Sequence, residues 1–273
     1  MLALLQNLKN NVPDKEFQRN LFLYTKEQER ENLKPSYFFV PGVISFQANA
    51  DRSTMAKYGF LSESRDFWEK LDFNDYASQL KKGEQEVLEK FLRKYSKFSN
   101  TKLLKYIKKE YPYYSRDPKF KQVHHSKKLF TIGYEGISLE EYLNKLLENE
   151  VSLLVDVRRN AFSMKYGFSK NQLRYALHKM GIKYIQISDL GIDSFKRKNL
   201  NSKKSYEKLF EEYEERIRGN NMKELSLIRE KLESLKSIAL TCFEKDYNCC
   251  HRSRIAKVLS EEEPDFDKCV FHL

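Results

Sequence analysis

The chain of 273 residues contains no run of about eighteen apolar residues, which excludes a long hydrophobic membrane span. Its first residues, MLALLQNLKNNV, are apolar over too short a stretch, and they lack the basic start and small-residue cleavage site of a secretory signal. Cysteine is scarce. There are 4, and three of them, Cys242, Cys249 and Cys250, crowd into one segment. That excludes a disulfide scaffold and points to a reducing, cytoplasmic compartment. No two cysteines have the CxxC spacing typical of thiolate zinc sites, and none is followed by arginine at the cysteine-phosphatase spacing. No internal repeat is visible. No Lys/Arg block is dense enough to serve as a nucleic-acid tail.

What is present is a foldable and basic chain. Hydrophobic residues make up 40%, enough for a packed core, and the length favours two domains at roughly 100–200 residues each. The net charge is 50 − 39 = +11. Up to Ser126 there are 23 Lys+Arg against 16 Asp+Glu, a net +7; beyond it 27 against 23, a net +4. A basic surface favours polyanionic partners, nucleotide or nucleic acid above all, although a Lys-rich chain also gains simple solubility from it.

The change of texture falls in YPYYSRDPKFKQVHHSKK. It predicts a domain over residues 1–110, a linker over 111–127 and a second domain over 128–273. His124 and His125 read as a solvated linker pair, because no Cys or carboxylate cluster stands beside them. Residues 1–110 read as mainly helical. Phe17, Leu21 and Tyr24 recur at helical spacing, and Asn100 or Thr101 is placed to cap a helix that Pro112 stops. Short helices with a small β-element suggest a winged-helix-like module. The aromatics of YFF and YPYY are read as core packing or as stacking surfaces for bases.

Residues 128–273 alternate strand and helix: KLFTIG, VSLLVDVR, IKYIQI, SIALTCFE and a last DKCVFHL as strands. Ser138 with Glu141, and Ser169 with Gln172, have capping-box spacing, and Gly181 is placed to close the second helix. The expected fold is α/β, a mostly parallel Rossmann-like sheet with helices on both faces.

Ligands of such sheets bind beyond the carboxyl ends of the strands. The residues there are Gly133 and Tyr134 after the first strand, Asp156 and Arg158 after the second, and Cys242 and Glu244 after the fourth. Cys250, His251 and Arg252 open the next helix. Arg158 and Arg252, with a helix N-terminus, would clamp a phosphate or carboxylate; alternatively they pair with Asp156 or Glu244 and staple the sheet. Gly133 and Tyr134 would complete the anion site, Tyr134 by donating to a substrate phosphate or sugar; Tyr134 reads equally as a lid over the core. Asp156 and Glu244 are candidate acid/base groups, because partial desolvation at a strand end raises a carboxylate's pKa. Cys250 and His251 admit three readings: a thiolate nucleophile with lowered pKa at a helix N-terminus, a zinc site with Cys242 and Cys249, or packing. Adjacent cysteines make poor chelators, so no metal is expected, and Cys250 is expected to matter more than Cys249.

KKLFTIGYEG, LLVDVRRNAFS, FSKNQLRYALHKMGIKYIQISDLGI and ALTCFEKDYNCCHRSRIA resemble the family called domain of unknown function 488, over roughly residues 128–262. The resemblance implies a Rossmann-like α/β fold and no settled activity. QRNLFLYTKEQE and YFFVP resemble, more loosely, a winged-helix-like module related to phage-associated antitoxin proteins; VPGVISFQ stands where a VPYKYGPFS-like pattern is usual there. Together these readings lead to an enzyme acting on a nucleotide or nucleic acid, its cofactor unspecified. The alternative is a non-enzymatic nucleic-acid-binding regulator or phage-defence component that senses a small anion.

Overall fold

In the computed structural model the chain forms two compact units, Met1–Asp117 and Pro118–Leu273. The structure describes residues 1–9, 11–119, 126–193, 203–261 and 269–273; His124 and His125 lie outside them.

The first unit is mainly helical: α1 (Leu2–Gln6), α2 (Asp14–Arg30), α3 (Phe46–Lys57), α4 (Lys82–Tyr95), α5 (Asn100–Glu110) and α6 (Pro112–Ser115). Its β-element pairs β1 (Val12–Pro13) with β2 (Phe67–Trp68), antiparallel. Phe17, Leu21 and Tyr24 of α2 are buried, as their spacing requires. Tyr37 and Phe39 are also buried, and Tyr111 and Tyr114 pack on Phe22 with ring centroids 5.2 and 4.9 Å away, so these aromatics are core. Helix α5 is capped one residue earlier than its sequence suggested. Ser99 Oγ accepts from Lys102 N, because a serine just before the helix reaches the free first-turn N–H groups most directly. Pro112 stops α5 and starts α6, where its missing N–H costs nothing.

The second unit is a five-stranded sheet in the order β5-β4-β6-β3-β7, with every pairing parallel. Its strands are β3 (Lys128–Gly133), β4 (Leu153–Asp156), β5 (Lys183–Gln186), β6 (Ser237–Cys242) and β7 (Val270–His272). The helices are α7 (Leu139–Glu148), α8 (Lys170–Lys179), α9 (Lys203–Asn220), α10 (Met222–Leu235) and α11 (His251–Glu261). Central strand β6 is buried at every residue, the pattern of a parallel strand covered on both faces. Leu129, Leu153, Val155, Ile238 and Leu240 share a core with residues of α9, α10 and α11. The alternate residue Thr241 turns to the other face, where Tyr142 of α7 donates to its Oγ1 at 2.8 Å. Cys242 shares the side of Ile238 and Leu240, the side of α11.

The Ser138–Glu141 box forms, with both reciprocal bonds. The Ser169–Gln172 box does not. Ser169 Oγ is engaged by Ser163, donating to its carbonyl and accepting from its N–H, and Gln172 Oε1 accepts from Gly167 N. The loop ahead of α8 captured both side chains. Gly181, at φ +70°, turns the chain out of α8 as placed. Among the described residues no helix is long and apolar enough to cross a membrane.

Candidate functional site

Parallel register brings Gly133 opposite Cys242 and Asp156 opposite Thr241, so β3, β4 and β6 end together. Two polar clusters form there.

The first is built on Asp156. Arg158 Nε and its own N–H donate to Asp156 Oδ1 at 2.8 and 3.1 Å, and Arg158 Nη2 donates to Oδ2 at 2.6 Å. Tyr184 of β5 also donates to Oδ2, at 2.8 Å. Arg158 Nη1 donates to Tyr134 Oη at 2.8 Å and to the Phe168 carbonyl at 2.9 Å. Burial by itself would lower the guanidinium's pKa, but Asp156 wins and raises it. Tyr184 moves up through burial and the same carboxylate. Asp156, Arg158 and Tyr134 are all buried, and Tyr134 stacks on Phe168 at 4.3 Å. Asp156 spends both oxygens on these partners, Arg158 takes the staple arrangement with Asp156, and Tyr134 packs against Phe168 over the core. Tyr184 and Phe168 went unnoticed because neither carries a motif; only the β4–β5 register and the loop path bring them in.

Arg252 is likewise buried, and its guanidinium holds backbone: Nη1 donates to the Glu244 carbonyl and Nη2 to that of Lys245, at 2.6 and 3.0 Å. Gly133 has a steric purpose. A Cβ there would fall 1.8 Å from the Glu244 carbonyl oxygen, so only glycine admits the 244 segment across the end of β3. Arg252 and Gly133 thus position the Glu244 backbone.

The second cluster is Cys242, Glu244, Cys250 and His251. Cys242 Sγ and Cys250 Sγ each donate to Glu244 Oε2 at 3.0 Å. His251 Nδ1 stands 3.7 Å from Cys242 Sγ and 3.9 Å from Cys250 Sγ. His251 Nε2 lies 2.9 Å from the Val157 carbonyl, which fixes that nitrogen as the N–H donor and leaves the Nδ1 lone pair facing the thiols. Both cysteines and the histidine are buried; Glu244 is part-exposed. Burial, with Cys242 and Glu244 beside it, pushes the Cys250 thiol well up, and Arg252 offsets only part of this. A helix-terminal thiolate of lowered pKa is therefore not what α11 holds. Desolvation and a neighbouring carboxylate outweigh the helix end. Cys249 is exposed and turns to Asp246, so adjacent cysteines do not compete within the cluster. The ligand atoms of the four residues lie within 4.8 Å of one another, a set able to hold a metal ion. Phe243 and Tyr247, 43% and 38% exposed, flank Glu244 in sequence.

An all-parallel sheet with helices on both faces and polar clusters at its strand carboxyl ends places the second unit among Rossmann-like α/β domains. Residues 138–259 match the family described as Domain of unknown function DUF488, and this stretch is a domain of that family. No curated protein and no solved structure matches the chain.

Proposed function

We propose that the α/β unit is an enzyme module acting on a nucleotide or nucleic acid, with Cys242, Glu244, Cys250 and His251 as its reacting centre. The carrying observation is chemical. Two thiols, an imidazole and a carboxylate meet at the ligand-binding edge of the sheet, where a purely structural role is met more cheaply by apolar side chains. Glu244 is the part-exposed member and the natural proton carrier towards a substrate. The net charge of +11 and the exposed ring of Phe243 support a phosphate-bearing, base-containing ligand, while Tyr247 stacks on His272.

Anisotropy titrations of the full chain with nucleotides and with single- and double-stranded DNA and RNA test this. Binding is expected to weaken by about 10³-fold or more between 50 and 200 mM salt if about six phosphates are contacted. Glu244→Gln should spare binding and abolish turnover of the ligand so found. Absence of binding to every probe at low salt would sink the reading. The rival, a nucleic-acid-binding regulator or phage-defence component with a winged-helix-like N-terminal module, is favoured by the +7 net charge up to Ser126. It predicts binding without turnover.

A further inference from the structure

We infer that Cys242, Glu244, Cys250 and His251 form a tetrahedral zinc site. The inference deepens the reading of this cluster as the reacting centre, and it stands or falls on a separate measurement.

Four lines converge. The first is donor chemistry: two sulfurs, one imidazole nitrogen and one carboxylate oxygen match zinc, whereas calcium and magnesium take oxygen. The second is geometry. With zinc–sulfur bonds of about 2.3 Å and zinc–nitrogen or zinc–oxygen bonds of about 2.0–2.2 Å, a tetrahedron has edges of about 3.5–3.8 Å. The sulfur–nitrogen edges here are 3.7 and 3.9 Å, and all four atoms lie within 4.8 Å of one another. The two sulfur–oxygen edges, 3.0 Å each, are the hydrogen bonds of protonated thiols to Glu244, and a central ion would lengthen them by about half an ångström. The third line is the support around the donors. His251 gives its Nε2–H to the Val157 carbonyl, the arrangement that orients an imidazole ligand and selects Nδ1 for the metal. Arg252 holds the Glu244 and Lys245 carbonyls, and Gly133 makes room for the first of them, so the Glu244 backbone is set while its side chain reaches the cluster.

The fourth line is charge. Binding displaces the two thiol protons to solvent, so the dication meets two thiolates and a carboxylate, with neutral imidazole as the fourth donor. Three donors are buried and Glu244 alone is part-exposed, so Glu244 is the ligand that an incoming oxygen donor would replace.

The test uses the full chain, with thiols kept reduced. Elemental analysis of protein purified without chelators is expected to give one zinc per chain. Replacement by cobalt(II) is expected to give the intense sulfur-to-cobalt charge-transfer absorption and the visible bands of a four-coordinate ion. Cys242→Ser and Cys250→Ser should each weaken zinc binding by about 100-fold or more, since losing even an outer partner of a ligand costs about 10–100-fold. Glu244→Ala should keep the charge-transfer band and alter the visible bands. Cys249→Ser, whose thiol faces Asp246, should change nothing. Lack of zinc together with no charge-transfer band on cobalt addition overturns the inference, whatever the folding of the variants. So does equal loss in Cys249→Ser and Cys242→Ser. Zinc bound without any nucleotide or nucleic-acid ligand would keep the metal site and remove the proposed substrate class.

Discussion

The Asp156 and Cys242 clusters sit one strand apart at the same sheet edge, and they are opposite in kind. Around Asp156, a carboxylate, a guanidinium and two phenols satisfy one another; Asp156, Arg158 and Tyr134 are buried and Tyr184 is half-buried. Around Cys242, the four facing atoms are all potential lone-pair donors to a metal, and the adjacent guanidinium of Arg252 is directed to backbone carbonyls. A buried cluster that neutralises itself reads as a staple. One that gathers ligand atoms around a common point reads as a site.

Truncation breaks the comparison most sharply on the staple side. Arg158→Ala strands Asp156 as a buried, uncompensated carboxylate, and urea denaturation should show a loss of about 3–5 kcal/mol. Cys242→Ala in the metal-free protein should cost much less, because a small near-isosteric swap in a core usually costs under about 1.5 kcal/mol. Zinc then reveals the difference. At about 100 times its dissociation constant it should stabilise the parent protein by about 2.7 kcal/mol in the same denaturation, and leave Cys242→Ala unmoved.

Gly133→Ala sharpens the link between the two strand ends. Its Cβ would meet the Glu244 carbonyl at 1.8 Å, so β3 or the 244 segment must shift, at about 1–3 kcal/mol of overpacking. The cobalt spectrum should change with it; an unchanged spectrum would show that Glu244 does not depend on this approach. Tyr142→Phe removes only the bond to Thr241 on the opposite face. It should cost about 0.5–1.5 kcal/mol and leave metal binding intact.

The smallest effect lies in the first unit. Burial would raise the pKa of Glu27, but hydrogen bonds from Lys94 and Tyr95 and the charge of Arg30 outweigh it, and the net shift is downward. A carboxylate depressed in the folded state contributes stability that is full above its unfolded pKa and lost as pH falls through the folded one. Glu27→Gln should therefore flatten the loss of stability of the full chain below about pH 4.5, near the ordinary glutamate pKa. An unchanged acid limb would remove Glu27 from the account.

The sheet was legible in the sequence because buried parallel strands need near-continuous apolar runs. KLFTIG, VSLLVDVR, IKYIQI and SIALTCFE are such runs, bounded by helices with their own periodicity. The Ser138 box was legible for the same local reason: its donor and acceptor lie three residues apart. Ser169 has the same spacing, but Ser163 competes for its hydroxyl through the tertiary path of a loop.

The site divides along the same line. The sequence by itself determined which residues end the strands, since the hydrophobic runs delimit them: Asp156 closes β4, Cys242 closes β6 with Glu244 two residues beyond, and Cys250 and His251 stand where the next helix begins. Only the tertiary structure decided what those residues are. Whether an arginine is a clamp or a staple depends on who stands within about 3 Å of its fork. Whether a helix-terminal cysteine is a thiolate or a buried thiol depends on the desolvation around it. Spacing along the chain argued against Cys242, Cys250 and His251 as chelators, but distance in space assembles them with Glu244 and leaves Cys249 outside. Ligand geometry is a property of atoms brought together by folding, and a chain reversal between β6 and α11 sets it here.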